Sequence, residues 1–134
     1  MNLRADATFR AGDLSRIESL LVPRIIEAVT VGTQVVFDES QVLVAVDTGE
    51  LKASGSQAVE WKGQKVTGTI AYSAEHAAFV EFGTGIRGSE SAGAGPVAYN
   101  PTWPGMPAQP YVRPALDSKQ GEIKEAFAAQ GFKA

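Results

Sequence analysis

Apolar residues recur at helical spacing through the first third of the chain. Leu14, Ile17, Leu20 and Leu21 share one face behind Asp13, a residue type that caps helices. Pro23 then interrupts and is expected to kink this helix or to open a new one. Ile25, Ile26, Val29, Thr33, Val36 and Phe37 continue the stripe, with Gly32 as its weak point at about 1 kcal/mol of propensity. The run Val42 to Val46 suits either a buried strand or the end of the same helix, and periodicity alone leaves both open. Thr48 and Gly49 break the pattern, and Thr48 is placed to cap a short turn running through Lys52.

The period changes after Ser56. Ala58 to Trp61 and Val66 to Tyr72 are rich in β-formers, and Lys62-Gly63-Gln64 between them predicts a hairpin turn. Val66, Gly68, Ile70 and Tyr72 fall on one face of the second strand, with Thr67, Thr69 and Ala71 on the other. Ser73 is a candidate N-cap for a short helix over 74–82, with Glu75 in its first turn and Ala78, Phe79 and Phe82 as its apolar stripe. Gly83 suits the position just past its end. Residues 83–109 lack periodicity and are dense in Gly, Pro, Ser and Ala, which predicts an exposed, mobile loop. Pro107, Pro110 and Pro114 lead into a last helix through about Ala129, with Leu116, Ile123 and Phe127 on its apolar face and Gly131 closing it. Helix, hairpin, helix, loop and helix in this order make an α+β fold.

Composition narrows the function. The chain has 134 residues, the size of one domain, with a flexible N-terminus expected over 1–12. An apolar share of 44 % is enough for a core, and 20 % charged residues argues against wholesale disorder. The net charge of −3 supplies no basic excess to neutralise phosphates, so tight nucleic-acid binding is not expected. Met1 to Gly12 holds Arg4 and Arg10 but no apolar segment of a secretory signal. No run approaches the roughly 18 apolar residues of a membrane span. The absence of cysteine removes disulfides, thiolate metal sites and cysteine nucleophiles together.

Three short patterns invite enzyme readings. Gly83-Thr-Gly85-Ile-Arg-Gly88 has the spacing of a dinucleotide-binding glycine motif, which requires a strand before it and a helix after it. A helix is expected before it and loop after it instead, and no acidic residue stands about 20 positions downstream, near Trp103. Asp47-Thr48-Gly49 looks like the catalytic tripeptide of small dimeric aspartic proteases, in which two carboxylates share a proton. Against this stand Glu50, where those proteases carry a small residue, and some forty helix-patterned residues upstream. His76, the only histidine, sits with Glu75 and Glu81, but Ser54, Ser56 and Ser73 lie in no nucleophile elbow and no metal-ligand spacing is present. Trp61 ends a predicted strand and reads as core or rim. Trp103, between Pro101 and Pro104, reads equally as a protein-contact residue or as local packing.

Three stretches in order resemble the HK97 gp10-like family of bacteriophage neck and tail-completion proteins. They are the Asp47-Thr-Gly-x-Leu51 turn with Ser54 following, Tyr72 with Ala77-x-x-Val80-Glu81-Phe82-Gly83-Thr84-Gly85, and Pro110-Tyr-Val-Arg113-Pro-Ala115-Leu116. The likeness runs from Val46 to Leu116; each motif alone is weak, and their order and spacing are what make it specific. The long loop with Trp103 departs from the family's pattern. The resemblance implies a long N-terminal helix ending near Asp47. It implies a virion protein at the head–tail junction, in the host cytoplasm before assembly, with no catalytic, cofactor or metal site. Its implied partners are copies of itself in a ring and neighbouring connector or tail-terminator proteins; genome DNA passes nearby, and no membrane is involved. Glu81, near a helix end, is expected to bridge to Arg113 at the start of the last helix.

Overall fold

The computed structural model describes residues 2–8, 15–46, 49–63, 65–91 and 97–132, with side chains from 19 onward. It has an α+β fold. Strand β1 (Asn2–Thr8) is followed by the long helix α1 (Ser15–Leu43), a one-turn helix α2 (Glu50–Ala53), and strands β2 (Gly55–Lys62) and β3 (Lys65–Tyr72). Four short helices complete it: α3 (Ala77–Phe82), α4 (Gly85–Glu90), α5 (Val112–Ser118) and α6 (Gln120–Ala129).

Helix α1 runs through Pro23, so of the two expected outcomes the chain does not open a new helix there. Pro23 is exposed, so the disruption that a proline brings to a helix interior falls on the solvent side. Val42 and Leu43 belong to the helix, and the Val44 amide still donates to the Ser40 carbonyl at 2.9 Å. The helical reading of that run therefore holds through Leu43, whereas Ala45 and Val46 lie beyond the helix, which ends short of the expected Asp47. Asp13 and Leu14 lie outside the described residues, as do Thr48 and the expected turn residue Gln64.

The sheet is antiparallel with order β1-β3-β2. Lys62 pairs with Lys65 and Gly55 with Tyr72, so the hairpin turns at Gly63, whose φ of 62° suits glycine. The N-terminus expected to be flexible contributes β1 over 2–8, with Leu3 opposite Ile70 and Ala7 opposite Val66. The missed signal was the short alternation of Leu3, Ala5 and Ala7, too weak in apolar bulk to stand out. Val66, Gly68, Ile70 and Tyr72 are the buried face of β3, as their alternation predicts.

That face packs on α1 through Ile25, Val29, Thr33 and Val36, in two apolar clusters. The larger joins Val36, Ile70 and Tyr72 to Leu51, Ala77, Tyr111, Val112 and Ala115. The smaller joins Ile25, Val29 and Val66 to Phe127 and Phe132. Polar groups inside are paired: Ser40 Oγ and the Tyr72 hydroxyl are 2.6 Å apart, and Gln41 Nε2 donates to the same hydroxyl at 2.9 Å.

By length and composition Ser19–Leu43 is apolar enough to cross a membrane, with a mean hydropathy of 1.5, so the expectation that no such run exists is corrected. Its polar residues are mainly uncharged (Thr30, Thr33, Gln34, Ser40, Gln41), and Arg24 and Glu27 stand well away from Asp38 and Glu39. Its buried side is covered by the sheet and by α5 and α6. The expected single last helix is two, separated at Lys119, whose ammonium reaches Glu39 of α1 at 3.8 Å and Glu122 at 3.4 Å.

Candidate functional site

The stretches that carry the resemblance meet where α3 ends and α5 begins. Tyr72 and Ser73 continue the pairing with the start of β2, and the Ser73 amide donates to the Ser54 carbonyl at 3.3 Å. Ser73 is thus not the N-cap expected of it: α3 starts only at Ala77, behind an exposed His76. Starting there turns Ala77, Glu81 and Phe82 inward and leaves Phe79 on the surface, contrary to its expected place in the apolar stripe.

Glu81 is fully buried, and the hydrogen bonds of its carboxylate join it to the start of α5. Its Oε2 accepts from the Tyr111 amide at 2.7 Å and from the Val112 amide at 3.0 Å. Its Oε1 accepts from the amide and the Nε of Arg113, both at 3.0 Å. Arg113 Nη2 donates back to the Glu81 carbonyl at 3.0 Å, and its guanidinium lies 4.7 Å from the Phe82 ring centre. The expected bridge between Glu81 and Arg113 is present, with the three amides as an addition that charge patterning could not foresee. A helix start leaves its first N–H groups without intrahelical partners, and here a carboxylate from another helix takes them. Pro114 fits in this first turn because an N–H there would have had no intrahelical acceptor. Tyr111 packs edge-on against Tyr72 at 4.9 Å and its hydroxyl donates to the Ala77 carbonyl at 3.1 Å. Burial, then the Glu81 charge, push its phenol well above the usual tyrosine value.

The loop expected to be mobile over 83–109 holds α4, and its described return strand is tied to the start of that helix. The Thr84 amide donates to the Met106 carbonyl at 2.8 Å and the Met106 amide to the Thr84 carbonyl at 3.1 Å. Ile86 and Arg87 donate to the carbonyls of Trp103 and Pro104, and Gln109 to that of Val80. Glycines make this crossing possible. At Gly83, φ 74°, a Cβ would lie 2.6 to 2.7 Å from Ala108 N, Gly88 Cα and Met106 O. A Cβ at Gly85 or Gly105 would overlap the Trp103 or Thr84 carbonyl oxygen. The Gly83–Gly88 pattern is therefore filled by the chain's own backbone, and the amides of Thr84, Ile86, Arg87 and Gly88 are bonded to carbonyls rather than left to cradle a phosphate.

Among the described residues, the other candidates are not brought together. Asp47 and Thr48 lie outside the described residues; α1 leads towards them and α2 follows. His76 is on the surface, and no group of three or more potential metal ligands occurs among the described residues. Glu81 has both oxygens occupied, which leaves it no capacity to act as a general base. Trp61 is exposed on the rim, its Nε1 donating to the Gly63 carbonyl at 2.7 Å. Trp103 is also exposed, and Met106, Ile86 and Phe79 surround the same crossing as exposed apolar residues that the sequence reading did not single out for contact. No family model, curated protein or solved structure matches the chain.

Proposed function

We propose that this chain is a structural component of a tailed-phage virion at the head–tail junction, acting by assembly of identical copies into a ring and without catalysis. The observation that carries the reading is the joint between Glu81 and the 111–113 amides. Two of the three stretches behind the likeness to HK97 gp10-like proteins meet there, and their charged residues serve the fold rather than a reaction. The exposed apolar residues around the same joint suit contacts with neighbouring subunits. A net charge of −3 suits a component that DNA slides past.

Gold-labelled antibody on particles purified from the source culture tests this directly. Label confined to the head–tail junction is the expected result. Intact tailed particles without label there would overturn it. A pepstatin-sensitive cleavage at acid pH, abolished by Asp47→Asn, would then put a homodimeric aspartic protease in its place.

A further inference from the structure

Two exposed apolar areas stand out among the described residues. One surrounds the glycine crossing, where Phe79, Trp103 and Met106 are exposed by 54, 53 and 50 %. Backbone bonds from Thr84 to Met106 and from Ile86 to Trp103 fix this area before any partner arrives. An aromatic and methionine surface held in advance loses little entropy on docking. Arg87, exposed beside it, supplies a positive charge, whereas Arg113 is already engaged by Glu81.

The other runs along α1. Leu20, Val31 and Val42 are exposed by 69, 40 and 76 %. They stand eleven residues apart, about three helical turns, so they line up on one side of the helix. This side is opposite Val29, Thr33 and Val36, which meet the sheet, and is turned away from Gly32, which meets Ile123 of α6. Arg24, Glu27, Gln34 and Asp38, all exposed, stand between Leu20, Val31 and Val42 near the same line, so the face mixes apolar residues with one cation and two carboxylates. Charges there disfavour an acyl-chain surface, and the excess of carboxylates over Arg24 suits a protein partner with a cation.

We infer that these areas are the two halves of one contact: the glycine crossing of one copy seats on the α1 line of the next, with Arg87 facing Glu27. The inference rests on the ring reading above and names the surfaces that would join. Two different surfaces on each copy make a heterologous contact, the kind that closes into a ring when the rotation permits.

The chain has no cysteine, so introduced thiols report only where they are placed. Met106→Cys and Val31→Cys chains carrying different tags would be mixed and treated with a short bis-maleimide. The expected product is the mixed dimer, with little of either homodimer, and Trp103→Ala on the Met106→Cys chain lowers its yield about tenfold. Thermal melting of that variant verifies that it is folded, which its exposed side chain favours. Light scattering of the unmodified chain separates the levels of failure. Multimers without the mixed product, or with the Met106→Cys homodimer in its place, would overturn this pairing and leave self-assembly standing. A monomer at every concentration tested would remove both.

Discussion

Glu81 and Arg113 form an ion pair at 3.0 Å whose members are unequally placed: the carboxylate is wholly buried and 27 % of the arginine side chain remains accessible. The asymmetry sets which partner matters more. Glu81→Ala leaves three amides and the Arg113 Nε without their carboxylate acceptor, and a loss of about 3–5 kcal/mol is expected on the scale of broken buried pairs. Arg113→Ala removes one partner from a carboxylate that keeps three N–H donors, so it should cost less. Urea unfolding of both variants measures the order. Equal losses, or an unchanged Glu81→Ala midpoint, would mean that the amides contribute nothing.

Helix α1 approaches the sheet closely where Thr33 faces Gly68. A Cβ on Gly68 would overlap Thr33 Oγ1 and stand 3.2 Å from Val29 Cγ1. Gly68→Ala is therefore expected to destabilise by about 1–3 kcal/mol, as overpacked sites do. Thr33→Ala removes the overlapping oxygen, so the double variant should recover roughly 0.5 kcal/mol or more relative to the sum of the single losses. Denaturant midpoints of the four proteins supply the cycle. Additive losses would place the obstruction elsewhere.

What could be read from the sequence follows from how locally each feature is determined. Alternation from Val66 to Tyr72 and the helical stripe from Ile25 to Phe37 are patterns within one element, and both were legible. Gly68 was placed on the buried face, but its reason, a helix residue 35 positions earlier, was not visible. The Glu81–Arg113 pair was legible because opposite charges at two helix ends invite pairing; the amides of Tyr111 and Val112 carry no sequence signal. Phe79 and Ser73 were misplaced together, because the helix starts four residues after its best local cap. The glycine-rich segment misled in the same way, since glycine serves loops and close backbone crossings equally well. Only the partner strand, residues 103–106, distinguishes them.

The glycines should accordingly divide by what surrounds them. Gly105, φ 66°, would press a Cβ into the Thr84 carbonyl, and Gly83 is hemmed in by three backbone atoms. Either residue changed to Ala should destabilise the crossing, with faster amide exchange at Thr84, Ile86 and Met106. Gly121 lies in α6 with open space around it and no positive φ. Gly121→Ala should raise stability by about 0.4–1 kcal/mol, because alanine has fewer unfolded conformations to lose. Thermal melts and exchange rates test the contrast, and a stabilising Gly105→Ala would show that the crossing is not closed as described.

Tyr111 gives the fold an alkaline limit. Its phenol is buried among apolar residues beside the Glu81 charge, and both effects oppose ionisation. In the unfolded chain the same phenol ionises near its ordinary value of about 10. Above that pH the unfolded state binds fewer protons than the folded state, so stability falls as pH rises. Below it both states are protonated and this group contributes no slope. Tyr111→Phe should lower stability at neutral pH by about 1 kcal/mol through loss of the bond to the Ala77 carbonyl. It should also remove this group's share of the alkaline decline. The curves for the two proteins, from denaturant unfolding between pH 7 and 11, are therefore expected to run parallel up to about pH 10 and then converge. All other side chains are common to both proteins, so the difference between the curves reports the Tyr111 phenol. Curves that stay parallel to the end would mean that the phenol ionises in the folded state as readily as in water, which a side chain packed against Tyr72 and Glu81 should not do.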